Sequence, residues 1–276
     1  MTATAPAEPA VGDAGIRVDV HGSIAHVTLS RPHIHNAVSH AMLDELVALL
    51  SELEGRKTVK VVVLAGEGPS FCSGFELTRS SDAISAIALD AEADQRRIAG
   101  YLDVVLALVE TPLIVIGAVQ GHCMGIGVLL AAGCDLLVVE EDATLAMPAI
   151  PIGACFISTV LGTLVGVKRA KRMSLIPGGS INGTTALEWG LATDAVPAGD
   201  ALATADELAS QVARMPAAVL RLEKRGLNRV LEEQGLRRAL EAAADLDAIA
   251  HASDEVHALK ATIQRVGLKA AMAELR

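Results

Sequence analysis

Gln120–Asp135 reads QGHCMGIGVLLAAGCD. Gly121, Gly125 and Gly127 interrupt an otherwise apolar run, and His122 follows the first glycine. Immediately upstream, Leu113–Val119 is apolar and β-branched. The segment therefore reads as a buried strand, a glycine turn and a buried helix that starts near Gly125 or Gly127. Asp135–Val139 supplies the next strand. Strands separated by helices point to an α/β fold with crossover connections. Two physical reasons place glycine in such a turn: tight helix packing, or a ligand that backbone N–H groups must approach. This segment alone leaves both open.

Outward from that centre the same alternation continues. Ile16–Asp19 and Ile24–Ser30 alternate apolar with polar residues around His21–Gly22, which predicts a hairpin ended by Arg31–Pro32. Met42, Leu43, Leu46, Leu49 and Leu50 recur with helical period after Asn36. Val59–Leu64 is a continuous β-branched run, as in a strand covered on both faces. Gly66–Gly74 is a loop, and Ala83–Leu108 carries helical spacing with a charged face. Ala170–Ile176 and Thr184–Trp189 predict short helices, the second closed by Gly190. Beyond Asp200 the pattern is helical throughout: Ala203–Met215, Ala217–Glu232, Leu236–His251 and Asp254–Val266. The expected organisation is a tail at 1–14, an α/β core at 15–200 and a helical region at 201–276.

Composition narrows the function. The chain has 276 residues, 51% of them hydrophobic, and a formal charge of −10. With one Trp, one Tyr and three Phe, and no basic stripe, it lacks the means to stack on bases and to neutralise a phosphate backbone. Nucleic acid is therefore not the expected partner. Residues 1–14 have neither a basic start nor an apolar stretch, and read as a disordered tail, not a signal peptide. Leu113–Cys134 is apolar enough to resemble a membrane span, but its glycines and missing flanking charges argue against one. Cys72, Cys123, Cys134 and Cys155 show no metal-type spacing. Reduced, mostly buried thiols in a cytoplasmic protein account for them.

Chemistry has two obvious places. GEGPSFCSGFEL (66–77) and the opening stretch each lead from a strand through a glycine-bearing loop into a helix. Such junctions leave backbone N–H groups unpaired, and two of them brought together would make a paired-donor site for an oxyanion. Neither matches a nucleotide-phosphate loop.

Taken in order, LSRPHIHNAVSHAMLDEL, VKVVVLAGEGPSFCSGFEL and TPLIVIGAVQGHCMGIGVLLAAGCDLLVVEEDATLAMPAIPIG resemble the enoyl-CoA hydratase/isomerase (crotonase) superfamily, and PAAVLRLEKRGLN is similar to its helical tail. The resemblance covers about residue 16 to the C-terminus. It implies a crotonase spiral of ββα units, a C-terminal region that assembles trimers or hexamers, and an acyl-CoA thioester as substrate, with coenzyme A entering as part of that substrate and no separate cofactor or metal. It also implies that the N–H groups of Phe75, after Gly74, and of Ile126, after Gly125, hold the thioester oxygen as it becomes an enolate. Ile126 stands where glycine is usual, and a positive φ would be costly for a β-branched residue. The resemblance places the Ser73 carbonyl at the adenine, and Arg31, His33 and Lys224 as candidates for the CoA phosphates. Ala37, Gly74, Glu76, Leu77, Gly125, Leu129 and Ala149 complete the implied contact set.

One departure matters. Hydratases of this superfamily position water with two glutamates, and the matching positions here are Leu129 and Ala149. Ordinary hydration should suffer, which leaves isomerisation, decarboxylation or thioester cleavage, or a binding protein that has lost catalysis. His122 is the imidazole nearest in sequence to Ile126 and a candidate for proton transfer. Glu76, beside Phe75, is another. Cys123 or Cys155 would need an activating base to serve as nucleophile. His33, His35 and His40 lack carboxylate partners for a metal and read as loop and helix-start residues.

Overall fold

A computed structural model of the chain describes residues 15–76, 91–148, 150–154, 156–176 and 178–273. The expectations for the N-terminal tail, Leu77, the helix start at 83–90, Ala149 and Cys155 fall outside those residues.

Ile16–His21 (β1) and Ile24–Leu29 (β2) form the expected antiparallel hairpin, with Gly22 at φ 63° in the turn. The chain then crosses through His40–Gly55 (α1), whose N-terminus is capped by Ser39 Oγ accepting from the Met42 N–H at 3.3 Å. Val61–Gly66 (β3), Ile114–Val119 (β4), Leu136–Glu140 (β6) and Asp194–Val196 (β9) add in parallel to give the order β1-β2-β3-β4-β6-β9. Between β3 and β4 runs Ala91–Glu110 (α2), and between β4 and β6 run His122–Met124 (β5) and Ile126–Ala132 (α3). The apolar stretch that resembled a membrane span is thus a strand, a turn, a second short strand and a helix. No helix among the described residues is long and apolar enough to cross a membrane.

The strand reading of Val59–Leu64 holds on both faces. Val62 and Leu64 enter one core with α1, α2 and α3, whereas Val61, Val63 and Ala65 enter a second core on the opposite face. That second face is covered by Ala201–Val212 (α7) through Ala201, Ala205 and Ala209, whose small side chains at every fourth position let the helix lie close to the sheet. The change of composition at Asp200 therefore marks no packing boundary. Of the later helices, Ala217–Glu233 (α8) adds Leu220 to the same core, and Leu236–His251 (α9) packs on α2 from the other side.

A second sheet was not anticipated. β5, Thr144–Ala146 (β7) and Ser180–Asn182 (β8) form it in that order, and three residues are too few to show a period of two. Phe156–Val165 (α4), Val167–Ser174 (α5) and Gly183–Trp189 (α6, closed by Gly190 at φ 78°) connect β7 to β9. Asp254–Val266 (α10) and Leu268–Ala273 (α11) end the described chain.

A buried polar cluster ties α2 to α9. Asp94 accepts from Arg97 Nε at 3.0 Å and contacts His251 Nδ1 at 2.6 Å. Burial alone would raise the Asp94 carboxyl, but the hydrogen bonds from Arg97 and His251 hold it below its ordinary value. Burial, aided by Lys260, pushes His251 below 6.5, against the pull of Asp94. Both depressed values act in one direction. Below about pH 6.5 the unfolded chain takes up a proton at this histidine before the folded one does, so stability starts to fall there; it falls again as Asp94 protonates. A melting midpoint followed from pH 8 down to about pH 2, through the histidine range and below the ordinary carboxylate range, should show both declines. His251→Gln should remove the upper one and leave the lower.

Candidate active site

Three chain segments lie side by side at one end of the sheet, and Asn36 organises the first. It is fully buried at φ 55°; its Oδ1 accepts from the Arg31 N–H (2.8 Å), and its Nδ2 donates to the Glu67 and Ser70 carbonyls (2.9 and 2.7 Å). Asn tolerates the left-handed region because its short amide bonds locally. Arg31 reinforces the loop, donating to the Ala37 carbonyl at 2.9 Å and pairing with Glu76 at 2.8 Å.

The loop fixed in this way aligns Val38 with the second segment. The Val38 N–H donates to the Gly74 carbonyl and the Glu76 N–H donates to the Val38 carbonyl, both at 2.9 Å. In such a parallel bridge the N–H of the intervening residue, Phe75, turns to the opposite side. On that side lies the third segment. The Cys72 N–H donates to the His122 carbonyl (3.0 Å) and the Met124 N–H to the Cys72 carbonyl (2.8 Å), a bridge that pairs Cys72 with Cys123. Phe75 and Ile126 each lie three residues beyond that pair. Ile126 opens α3, where first-turn N–H groups have no partner within the helix. Among the described residues, neither the Phe75 N–H nor the Ile126 N–H donates a hydrogen bond.

The glycines of the opening stretch now have separate reasons. A Cβ on Gly121 would stand 2.0 Å from the Pro69 carbonyl oxygen, and one on Gly127 would stand 2.8 Å from Cys72 Cβ, so both are close-packing glycines. Gly125 is different: at φ 54°, ψ −116° it adopts a conformation closed to other residues and sets the direction of the Ile126 N–H. The strain anticipated at Ile126 is absent. Among the described residues only His35 and Asn36 are non-glycines at positive φ, because Gly74 (φ 104°) and Gly125 carry the turns.

A family model for enoyl-CoA hydratase/isomerase matches residues 19–265. The chain belongs to the enoyl-CoA hydratase/isomerase family. It is 33% identical over 205 residues to a Thermus thermophilus protein named for enoyl-CoA hydratase, covering 74% of this chain and 79% of the relative. It is 30% identical over 205 residues to the mevalonyl-coenzyme A hydratase of Aspergillus fumigatus, with 73% of each covered. The fold agrees. The crystal structure of an enoyl-CoA hydratase/isomerase from Xanthobacter autotrophicus Py2 superposes with a TM-score of 0.86 at 31% identity, over 94% of this chain and 96% of that one. A Novosphingobium aromaticivorans structure named for the same activities gives 0.87 at 35% identity, with 94% of both chains covered. The architecture is the crotonase fold.

Within that family frame the other sequence candidates separate. Ala37 is buried beside Arg31, and Ser73 donates through its N–H to the His35 carbonyl (2.9 Å) and through Oγ to the Ile34 carbonyl (3.1 Å). His33 is exposed on a 3-10 turn, free of the loop's hydrogen-bond lattice among the described residues. Arg31 is half-buried and engaged with Ala37 and Glu76, so both charges serve the loop. Leu129 is fully buried on α3. Cys123 is buried, and burial pushes its thiol well up, as it pushes that of Cys72 up to about 12; neither has thiolate character.

One assignment needs correction. Lys224 is 6% exposed, and its ammonium donates to the Leu108 carbonyl (3.0 Å), the Leu113 carbonyl (2.9 Å) and Asp135 Oδ2 (2.7 Å). Three donors meet three acceptors, and none remains for a CoA phosphate. His122 is exposed, with its ring 5.9 Å from that of His35 at the level of Cys72. The imidazole beside Phe75 is that of His40, the first residue of α1: the two rings stack at 6.0 Å and 29°. Tyr101 on α2 completes this group, 4.8 Å from the Phe75 ring and hydrogen-bonded to His40 Nε2. Sequence reasoning passed over Tyr101. Its one available signal was that the chain contains a single tyrosine.

Proposed function

We propose that the chain binds an acyl-CoA thioester with its carbonyl oxygen between the N–H groups of Phe75 and Ile126. There it stabilises the enolate formed when charge moves onto that oxygen. The observation that carries this reading is the pair of unspent amides on adjoining segments, each held in place by a bonded neighbour: Glu76 to Val38, and Gly125 to Ala146. Preformed donors aimed at developing charge need no reorganisation during the reaction.

Hydration of a simple enoyl thioester is not the reaction proposed. Leu129 stands where the family resemblance places one water-positioning glutamate, and it is buried in the apolar core. Ala149 stands at the other. A missing acid–base group commonly costs ~10²–10⁴ in rate. Isomerisation and decarboxylation need the enolate, thioester cleavage needs a tetrahedral oxyanion on the same oxygen, and none of the three is the water addition that the two glutamates serve. Self-association is part of the same proposal: Leu222 and Leu227 on α8 and Ile249 on α9 are more than 60% exposed, an arrangement suited to contact with further copies of the chain.

The test is a panel of enoyl-, β-keto- and malonyl-type CoA thioesters, with products followed by mass spectrometry and binding by calorimetry. Binding is expected for several, turnover for one class, and crotonyl-CoA hydration at least ~10²-fold slower than in a two-glutamate hydratase. Efficient crotonyl-CoA hydration would overturn the reading of Leu129 and Ala149. Binding without any product would turn the protein into a thioester carrier. No binding at all would remove the acyl-CoA site.

A further inference from the structure

We propose that Tyr101, paired with His40, is the acid–base group that moves the proton on the acyl α carbon, an inference that rests on the thioester reading above. The pair lies against Phe75, whose own amide is one of the two donors. The Tyr101 ring is 4.8 Å and the His40 ring 6.0 Å from the Phe75 ring. Tyr101 is 6% exposed, so its hydroxyl sits largely out of water. Among the described residues, two groups of different character meet that oxygen: Arg97 Nη1 donates to it at 2.5 Å, and His40 Nε2 bonds to it.

The two partners divide the work. A guanidinium cannot take up a proton, so Arg97 only favours negative charge on the phenol oxygen. An imidazole can hold or release one, so the His40–Tyr101 bond is a place where a proton can sit on either atom. The Arg97 guanidinium also lies 5.4 Å over the Tyr101 ring, and it is anchored by Asp94, which is itself anchored by His251. The chain of contacts His40–Tyr101–Arg97–Asp94–His251 thus fixes the phenol oxygen on the ring that packs against Phe75. Packing α1 on α2 does not require it, since Met42 and Leu46 share an apolar core with Ile98 and Leu102.

The step balances without an oxidant or co-reactant. With its proton resident on His40, the Tyr101 oxygen takes a proton from the α carbon. The C–H bond breaks and its electron pair forms a carbon–carbon double bond. The thioester π pair moves onto the oxygen held by Phe75 and Ile126, and an O–H bond forms on Tyr101. The reverse step returns a proton to the α carbon.

Butyryl-CoA separates this step from any full reaction, because it has no double bond and no leaving carboxyl. Wild-type protein in D₂O should bind it calorimetrically and introduce deuterium at the α carbon, read by mass spectrometry. Tyr101→Phe should bind it with exchange slowed about tenfold or more. His40→Gln keeps a hydrogen-bonding side chain without a titrating proton, so it should also slow exchange and flatten the pH–rate profile. Wild-type binding without exchange overturns the inference, as does wild-type exchange in Tyr101→Phe. If Tyr101→Phe loses binding, His40→Gln decides by the same two readouts: unchanged exchange and pH profile overturn the inference. Failure of the wild type to bind butyryl-CoA overturns the thioester reading instead.

Discussion

Gly125→Ala is expected to lower kcat/KM on the thioester that the panel identifies by about 10²–10³, close to the loss of one donor from an oxyanion site. At φ 54°, ψ −116°, Gly125 sits where a Cβ clashes with its own backbone. Alanine there either holds the strain, at roughly 1–3 kcal/mol, or relaxes toward negative φ. Relaxation rotates the peptide that carries the Ile126 N–H, and a donor displaced by an ångström no longer meets the oxygen. The matched control is Gly190→Ala. Gly190 closes α6 at φ 78° with nothing within 4 Å of a new Cβ, so it carries similar strain at an open helix end. It should lose stability and keep its turnover. Equal kcat/KM in the Gly125 variant and the wild type would remove Ile126 from the site.

The contrast between these glycines explains how far the sequence could be read. Long elements were legible because burial writes a period into them: β3 is apolar on consecutive residues because it faces two cores, and α1 repeats its leucines every three or four positions. β5, β7 and β8 were not, since three residues hold less than two periods of alternation. The loops announced themselves through glycine, but glycine does not say why it is there. Gly121 and Gly127 are pressed against Pro69 and Cys72, contacts between segments some fifty residues apart that no local pattern encodes. Expecting strain at Ile126 erred for the same reason: the residue with the unusual side chain was blamed for a turn that its neighbour makes. Asn36 shows the converse. Its identity is common in loops, yet a single buried amide with three partners aligns Val38 with Phe75.

The candidate site was legible only where it is made of backbone. Phe75 and Ile126 follow from glycine positions and family likeness, and main-chain donors are indifferent to which side chain is present. Groups that act through side chains are brought together by tertiary contact. His40 and Tyr101 are sixty-one residues apart, on two helices with β3 between them in the chain. His122 was preferred for its sequence proximity to Ile126, a measure blind to the rings that pack on Phe75.

Lys224 carries the second large prediction, and it separates a ligand-binding lysine from a structural one. Burial pulls the ammonium below its ordinary value, and the Asp135 carboxylate pulls it back up; burial likewise raises Asp135, which Lys224 and the Val115 N–H oppose. The pair therefore exists in the fold only because each member satisfies the other. Asp135 Oδ2 accepts from Lys224 and from the Val115 N–H, both at 2.7 Å, so the unit locks α8 to the end of α2 and to the start of β4. Lys224→Met leaves a largely buried carboxylate with one remaining donor and strips the Leu108 and Leu113 carbonyls of theirs. Removing one partner of a buried pair costs ~3–5 kcal/mol. The loss should appear as a lower denaturation midpoint at unchanged slope, measured at fixed protein concentration because self-association would shift the midpoint too. Replacing both members, with Asp135→Leu added, should recover part of the loss, since no unpaired charge then remains. Affinity for butyryl-CoA, measured well below the denaturation midpoint, should stay at the wild-type value in Lys224→Met. A phosphate-binding lysine would give the reverse: intact stability and weaker CoA binding, with the deficit vanishing for a thioester that lacks the phosphates. That reversed outcome would mean the ammonium leaves Asp135 for solvent, and the α8 packing described above would have to be abandoned with it.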